Sequence, residues 1–301
     1  MANNKILALL IAATSLLMIG LVGVAVSYDQ TTVSTQVNIT QSAATVANIV
    51  INQGGPINLS EGTDLNVVCN VTITDYSGLS DIDKVNATFH RSNTSVFADA
   101  ENNTVYKNTN CSYNYSIDAN NFAYYCDFNV TYYAYNGSWN CTVFVNSTLN
   151  YTQNGTNFST IYPLYAVNVT DAVDFGNLSV FDTSDVSEIN VTNWGNQPLN
   201  LTIYGYGGNS NASGGGLAFV CPIGTNISIG NVRWTSLGNI SYDTMVAMTS
   251  GPRVVQNITV PKQMTDELSI NTTYVKTYIP PNPFGVCNGT IVIEGQLGGN
   301  P

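Results

Sequence analysis

Three aspartates stand close together in "DYSGLSDID": Asp75, Asp81 and Asp83. Hard carboxylate oxygens around a glycine turn are ligands for Ca²⁺, so this cluster is the chain's candidate metal site. The spacing differs from an EF-hand loop, and Asp also serves turns by accepting backbone hydrogen bonds, which is the alternative reading. Other chemistry finds little support. The only histidine is His90, in "FHRSN" at the end of a predicted strand. A nucleophilic triad needs a general base, and His90 reads instead as a solvated surface residue. No spacing singles out a carboxylate pair for glycoside hydrolysis. Phosphate-loop and metalloprotease motifs are absent. The chain reads as non-catalytic.

Six cysteines occur, Cys69, Cys111, Cys126, Cys141, Cys221 and Cys287. No two are close enough in sequence for a metal pair, and an even count in an exported protein reads as disulfides. Four lie in the first half and two in the second, so each half can close its own. Three connectivities are open to the first four. Cys69 and Cys141 both sit on the apolar face of a strong predicted strand, and Cys111 and Cys126 flank a predicted hairpin, "SYNYSIDANNFAYY". The favoured pairs are therefore Cys69–Cys141 and Cys111–Cys126.

A third chemistry is written along the whole chain. There are 25 Asn-x-Ser/Thr triplets with a non-Pro middle residue, seven of them between Asn129 and Ser159. Chance placement of the Asn, Ser and Thr present gives about 8 such N-glycan acceptor patterns. An AT-rich codon bias would inflate Lys as well as Asn, yet 40 Asn accompany only five Lys. Eighteen of the middle residues are apolar or aromatic, so polar strand faces contribute to the excess. The acceptors taken forward are Asn38, Asn58, Asn70, Asn86, Asn110, Asn114, Asn129, Asn140, Asn146, Asn150, Asn168, Asn190, Asn200, Asn226, Asn239, Asn257 and Asn288. Dense N-glycosylation places the chain outside the cell.

Composition agrees. Only 9% of the 301 residues are charged, against roughly 25% in an ordinary soluble protein. Hydrophobic content of 44% is too high for a disordered chain. The net charge of −11, with eight basic residues, excludes a nucleic-acid partner, which needs cations against phosphate. The apolar run Ile6–Val26 would span about 31 Å as a helix, one hydrocarbon core. Lys5 favours an anchor with the bulk of the chain outside. Ala25-Val26-Ser27 also offers a signal-peptidase site, so residues 1–27 read as a signal anchor or signal peptide at the cell membrane.

Beyond a tether at 28–47, the pattern alternates with period two. In "LNVVCNVTIT" Leu65, Val67, Cys69, Val71 and Ile73 share one face and Asn66, Asn70, Thr72 and Thr74 the other. "WNCTVFV", "YYCDFNVT" and "LNLTIY" follow the same rule, the mark of half-buried antiparallel strands. On a strand, Asn and Thr two apart both face solvent while the residue between them enters the core. Pro163 marks a boundary near 157–170, "GYGGNSNASGGG" at 205–216 reads as a flexible loop, and 297–301 as a tail.

"YNGSWNC", residues 135–141, resembles the E–F turn and strand F of an immunoglobulin-like domain. The resemblance puts Trp139 at the usual Tyr position, Cys69 on strand B opposite Cys141, and Phe89 of "DKVNATFH" on strand C. "VDFGNLSVFDTSDVSEINVTNWGNQPLNLTIYG", residues 173–205, resembles hydin-type Ig-like domains through Asp174, Phe175, Gly176, Asn193, Gly195, Pro198 and Leu199. More loosely, the sequon density with "TDYSGLSDIDKVNATF" and "IPPNPFGVCNGTIVI" is similar to surface proteins of DPANN-type archaea. These resemblances imply an all-β chain with two tandem Ig-like antiparallel β-sandwiches, at 48–160 and 161–296. The implied role is structural or adhesive, with partners limited to membrane, N-glycans and other surface proteins or glycans. The alternative is a subunit of a surface layer or pilus-like filament.

Overall fold

The computed structural model describes residues 33–38, 42–210, 215–265 and 267–297, with side chains at all but 253–258 and 297. Ile6–Val26, and with it the anchor reading, lies outside these residues, as does the tail beyond 297. Among the described residues no helix is long and apolar enough to cross a membrane. Met1–Thr40 and Gln41–Pro301 are separate compact units. Of the first, 33–38 is exposed chain without regular structure.

The second unit is all-β. Its first eight strands are β1 (Thr45–Ile51), β2 (Leu65–Thr74), β3 (Ile82–Arg91), β4 (Val105–Asn108), β5 (Ser112–Ser116), β6 (Asn121–Val130), β7 (Gly137–Ser147) and β8 (Thr152–Ile161). They form two antiparallel sheets of order β1-β2-β6-β5 and β4-β3-β7-β8. The alternation that defines β2 decides its burial: Val67, Cys69, Val71 and Ile73 point inward and Asn66 and Asn70 outward. Inward residues of β2 and β6 meet those of β3 and β7 in one core that contains Phe89, Phe128, Trp139 and Cys141. Burial of this apolar area is the main favourable term for folding.

The remaining strands are β9 (Val167–Val169), β10 (Ser187–Asn193), β11 (Leu199–Gly207), β12 (Leu217–Phe219), β13 (Ile223–Gly224), β14 (Ile227–Ser228), β15 (Val232–Thr235), β16 (Val246–Ala247), β17 (Arg253–Val260), β18 (Ile270–Thr277), β19 (Pro283–Phe284) and β20 (Gly289–Leu297). A five-stranded sheet, β16-β15-β18-β10-β9, and a three-stranded sheet, β17-β11-β20, supply a second core around Val191, Leu201, Ile203, Trp234 and Val275. Two short pairs, β12 with β14 and β13 with β19, complete the set.

The start of the glycine-rich stretch departs from its reading as a loop; 208–210 and 215–216 are turn or irregular chain, and 211–214 lie outside the described residues. Gly205 and Gly207 belong to β11, opposite Ile291 and Gly289 of β20. A Cβ on Gly205 would lie 2.9 Å from Met248 Sδ, and one on Gly207 2.8 Å from Leu217 Cβ. These glycines admit close neighbours within a sheet; they do not loosen the chain.

Candidate functional site

The acceptor triplets follow the strand rule only in part: Thr88, Thr131, Thr142, Thr192 and Thr202, the hydroxyl residues of the Asn86, Asn129, Asn140, Asn190 and Asn200 triplets, are buried, and the middle residue Tyr115 is exposed. Asn38, Asn58, Asn70, Asn110, Asn114, Asn129, Asn150, Asn168, Asn190, Asn226, Asn239 and Asn288 are exposed. Asn86, Asn140, Asn146 and Asn200 are half-buried, and the side chain of Asn257 lies outside the described set. None of those described is buried. Some are tied down: Asn129 Nδ2 donates to Asp64 Oδ2 at 2.9 Å, and Asn190 Oδ1 accepts from Thr272 Oγ1 at 2.8 Å.

The cysteines form Cys69–Cys141, Cys111–Cys126 and Cys221–Cys287. The first joins the two sheets around the first core. Cys69 also stands directly opposite Cys126 in the β2–β6 register, so two disulfides lie side by side there. His90 is buried, against its reading as a surface residue. Its ring nitrogens bond the Thr94 carbonyl at 3.0 Å and Thr142 Oγ1 at 3.3 Å. Strand β3 ends under the 91–95 turn, which covers the ring; period-two alternation carries no sign of that turn.

The three aspartates separate. Asp83 is exposed on β3, whereas Asp75 and Asp81 are buried. Asp75 Oδ1 accepts the Ser77 amide at 2.8 Å, and Asp81 Oδ1 accepts Thr148 Oγ1 at 2.5 Å, tying the turn to the β7–β8 loop. The Oδ2 atom of each is buried without a hydrogen-bond partner. Burial pushes the Asp75 carboxyl up, with the Asp81 charge beside it adding to the rise and the Ser77 amide opposing it. Among the described residues no three His, Cys, Asp or Glu side chains converge as a metal site. The cluster is a turn anchor with one like-charged pair.

A buried polar assembly lies between the two cores, and the "NWGNQ" stretch builds one side of it. Asn193 Nδ2 donates to the carbonyls of Gln197 and Pro261 at 2.7 and 3.2 Å. Asn196 Oδ1 accepts the Leu164 amide at 2.7 Å and its Nδ2 donates to the Tyr162 carbonyl at 3.1 Å. Gln197 Nε2 reaches Asn136 Oδ1 at 2.6 Å. Trp194 packs against Gly62, where a Cβ would lie 2.9 Å from the indole. The segment after β17 supplies the other side. The Tyr132 hydroxyl donates to Gln263 Oε1. Lys262 is buried with its Nζ on the Tyr133 carbonyl at 3.0 Å, the Gln263 carbonyl at 3.1 Å and the Asn103 side-chain oxygen. Sequence reasoning missed Lys262, Asn103 and Glu101. The available signal was rarity: a lysine placed between the apolar end of β17 and a polar turn, in a chain with five.

No protein-family model and no curated protein matches the chain. Among solved structures it is similar to the CsuC–CsuE chaperone–tip adhesion subunit complex of Csu pili from Acinetobacter baumannii, at 10% identity and a TM-score of 0.38, covering 81% of this chain and 97% of that one. It is similar to a chaperone–tip adhesin complex of CFA/I fimbriae at 12% identity and a TM-score of 0.29, covering 83% and 80%. A carbohydrate-binding module of the β-sandwich superfamily follows at 10% identity and a TM-score of 0.25, covering 85% and 97%. The functional reading stands on the chain's own residues.

Proposed function

We propose that the chain is a non-catalytic, membrane-tethered extracytoplasmic glycoprotein with a structural or adhesive role at the cell surface. Its two cores are two tandem Ig-like sandwiches, at 48–160 and 161–296. The sheet orders β1-β2-β6-β5 and β4-β3-β7-β8, with a disulfide joining β2 to β7, support that reading for the first. The observation that carries the function is the outward placement of the acceptor asparagines. With 9% charged residues, glycans take over the solvation that Lys and Glu supply elsewhere. The Ile6–Val26 run supplies the tether.

A surface-layer or filament subunit is the second reading. Strand β5 ends its sheet, and every one of its side chains is exposed, including Tyr113 and Tyr115. Such an edge is a template for pairing with another chain. Antibody labelling of intact cells, with carbonate extraction of their membranes, tests the proposal. Labelling without lysis and retention in the membrane pellet are expected. Signal only after lysis, or release by carbonate, would contradict it.

A further inference from the structure

Around the Asn103 carboxamide the chain gathers an amine and a carboxylate. Asn103 is fully buried, at 0% exposure. The Lys262 Nζ meets its oxygen. Its nitrogen donates to Glu101 Oε1 at 3.0 Å and to the Met264 carbonyl at 2.5 Å. Glu101 is fixed there, with Oε1 also accepting the Asn103 amide at 3.0 Å and Oε2 the Thr104 hydroxyl at 2.6 Å. The Tyr135 ring closes over Lys262, 3.8 Å from Nζ to its centre. Asn103 belongs to the stretch before β4 and Lys262 to the stretch after β17, 159 residues apart.

We propose that Lys262 and Asn103 condense into an intramolecular isopeptide bond, with Glu101 carrying the proton. The lone pair of the neutral Nζ adds to Asn103 Cγ, and the Cγ–Nδ2 bond breaks. Glu101 takes a proton from Nζ and delivers it to Nδ2, which leaves as ammonia. One amide replaces another, so no oxidant or energy source enters. Three features favour the step. Burial pushes the Lys262 amine down to about 8, against the attraction of Glu101, so a neutral nucleophile is within reach near neutral pH. The amine and the amide are held in contact by the fold, which makes the attack unimolecular. Glu101 sits on the leaving nitrogen, where the proton is needed. The bond would tie the two cores covalently, so that tension between the chain ends bypasses the residues between 103 and 262.

Trypsin mapping of the full chain, produced in an oxidising host that does not N-glycosylate, tests the inference on its own, apart from any surface role. Residues 92–107 and 254–276 contain no cysteine, so disulfides do not complicate the map. We expect them joined as one branched peptide, lighter than its two parts by one ammonia, with Lys262 refractory to cleavage. Lys262→Arg should release 92–107 as a free peptide, and Glu101→Gln should leave most of the chain unlinked. Recovery of free 92–107 with 254–262 and 263–276 from the wild-type chain would overturn the proposal. A succinimide at Asn103 also loses ammonia but leaves 92–107 linear, and that result counts against it too. A Glu101→Gln chain linked as fully as wild type would overturn the role of Glu101.

Discussion

Trp139 stacks on Phe89, with ring centroids 4.9 Å apart, and donates its indole N–H to the Tyr135 carbonyl at 2.7 Å. Both side chains are fully buried beside the Cys69–Cys141 bridge, at 0% exposure. One residue thus fills the core between the sheets and pins the turn that leads into β7. Trp139→Ala should cost about 3–5 kcal/mol in urea unfolding, and Trp139→Phe less, since it keeps most of the apolar area. A Trp139→Ala chain as stable as wild type would show that the corner is not part of the cooperative core.

Gly195 lies hard against the backbone of the segment that joins β8 to β9. A Cβ there would lie 2.2 Å from the Leu164 carbonyl oxygen and 3.1 Å from the Ala166 amide, both backbone atoms that cannot turn aside. Gly195→Ala should therefore destabilise by about 1–3 kcal/mol, as overpacking does. Gly230→Ala, with open space around it, should stay within about 0.5 kcal/mol. Equal midpoints for the two variants would contradict the close approach.

The Asp75–Asp81 pair makes stability depend on acid. The folded-state affinity of Asp75 for a proton is raised above the ordinary carboxylate value of 3.8, chiefly by burial. The folded state then binds protons more readily than the unfolded state, so this contribution is present at low pH and lost as pH rises through the folded value. Asp75→Asn should hold or raise the thermal midpoint at neutral pH and flatten its dependence between neutral and about pH 4. Calcium should leave the wild-type midpoint unchanged. A calcium-dependent rise that Asp75→Asn abolishes would instead make the pair a cation site.

The strands were legible because alternation is local: β2 and β7 can be read from Cys69 and Cys141 with their neighbours two positions away. The inward face that alternation assigns to each of these cysteines also brings them together. What alternation cannot carry is any relation between distant segments. Nothing near "VPKQM" says that Lys262 ends against Asn103, and nothing near "FHRSN" says that the following turn covers His90. Gly205 and Gly207 read as loop residues because composition cannot distinguish a glycine chosen for its φ from one chosen for lack of a side chain. Of the acidic cluster, sequence gave the neighbours Asp75 and Asp81 but not the outward turn of Asp83.

The glycan layer carries the account and is tested most directly by glycopeptide mapping of the protein purified from its native cells. Exposed acceptors on outer strand faces, Asn70 and Asn129 among them, should be occupied, and the intact mass should exceed the 32.3 kDa of the bare chain. Asn140 and Asn200, half-buried on β7 and β11, should carry sugar less completely. Unmodified asparagines throughout, with a mass no greater than that of the polypeptide, would contradict the account and leave the triplets as the by-product of polar strand faces.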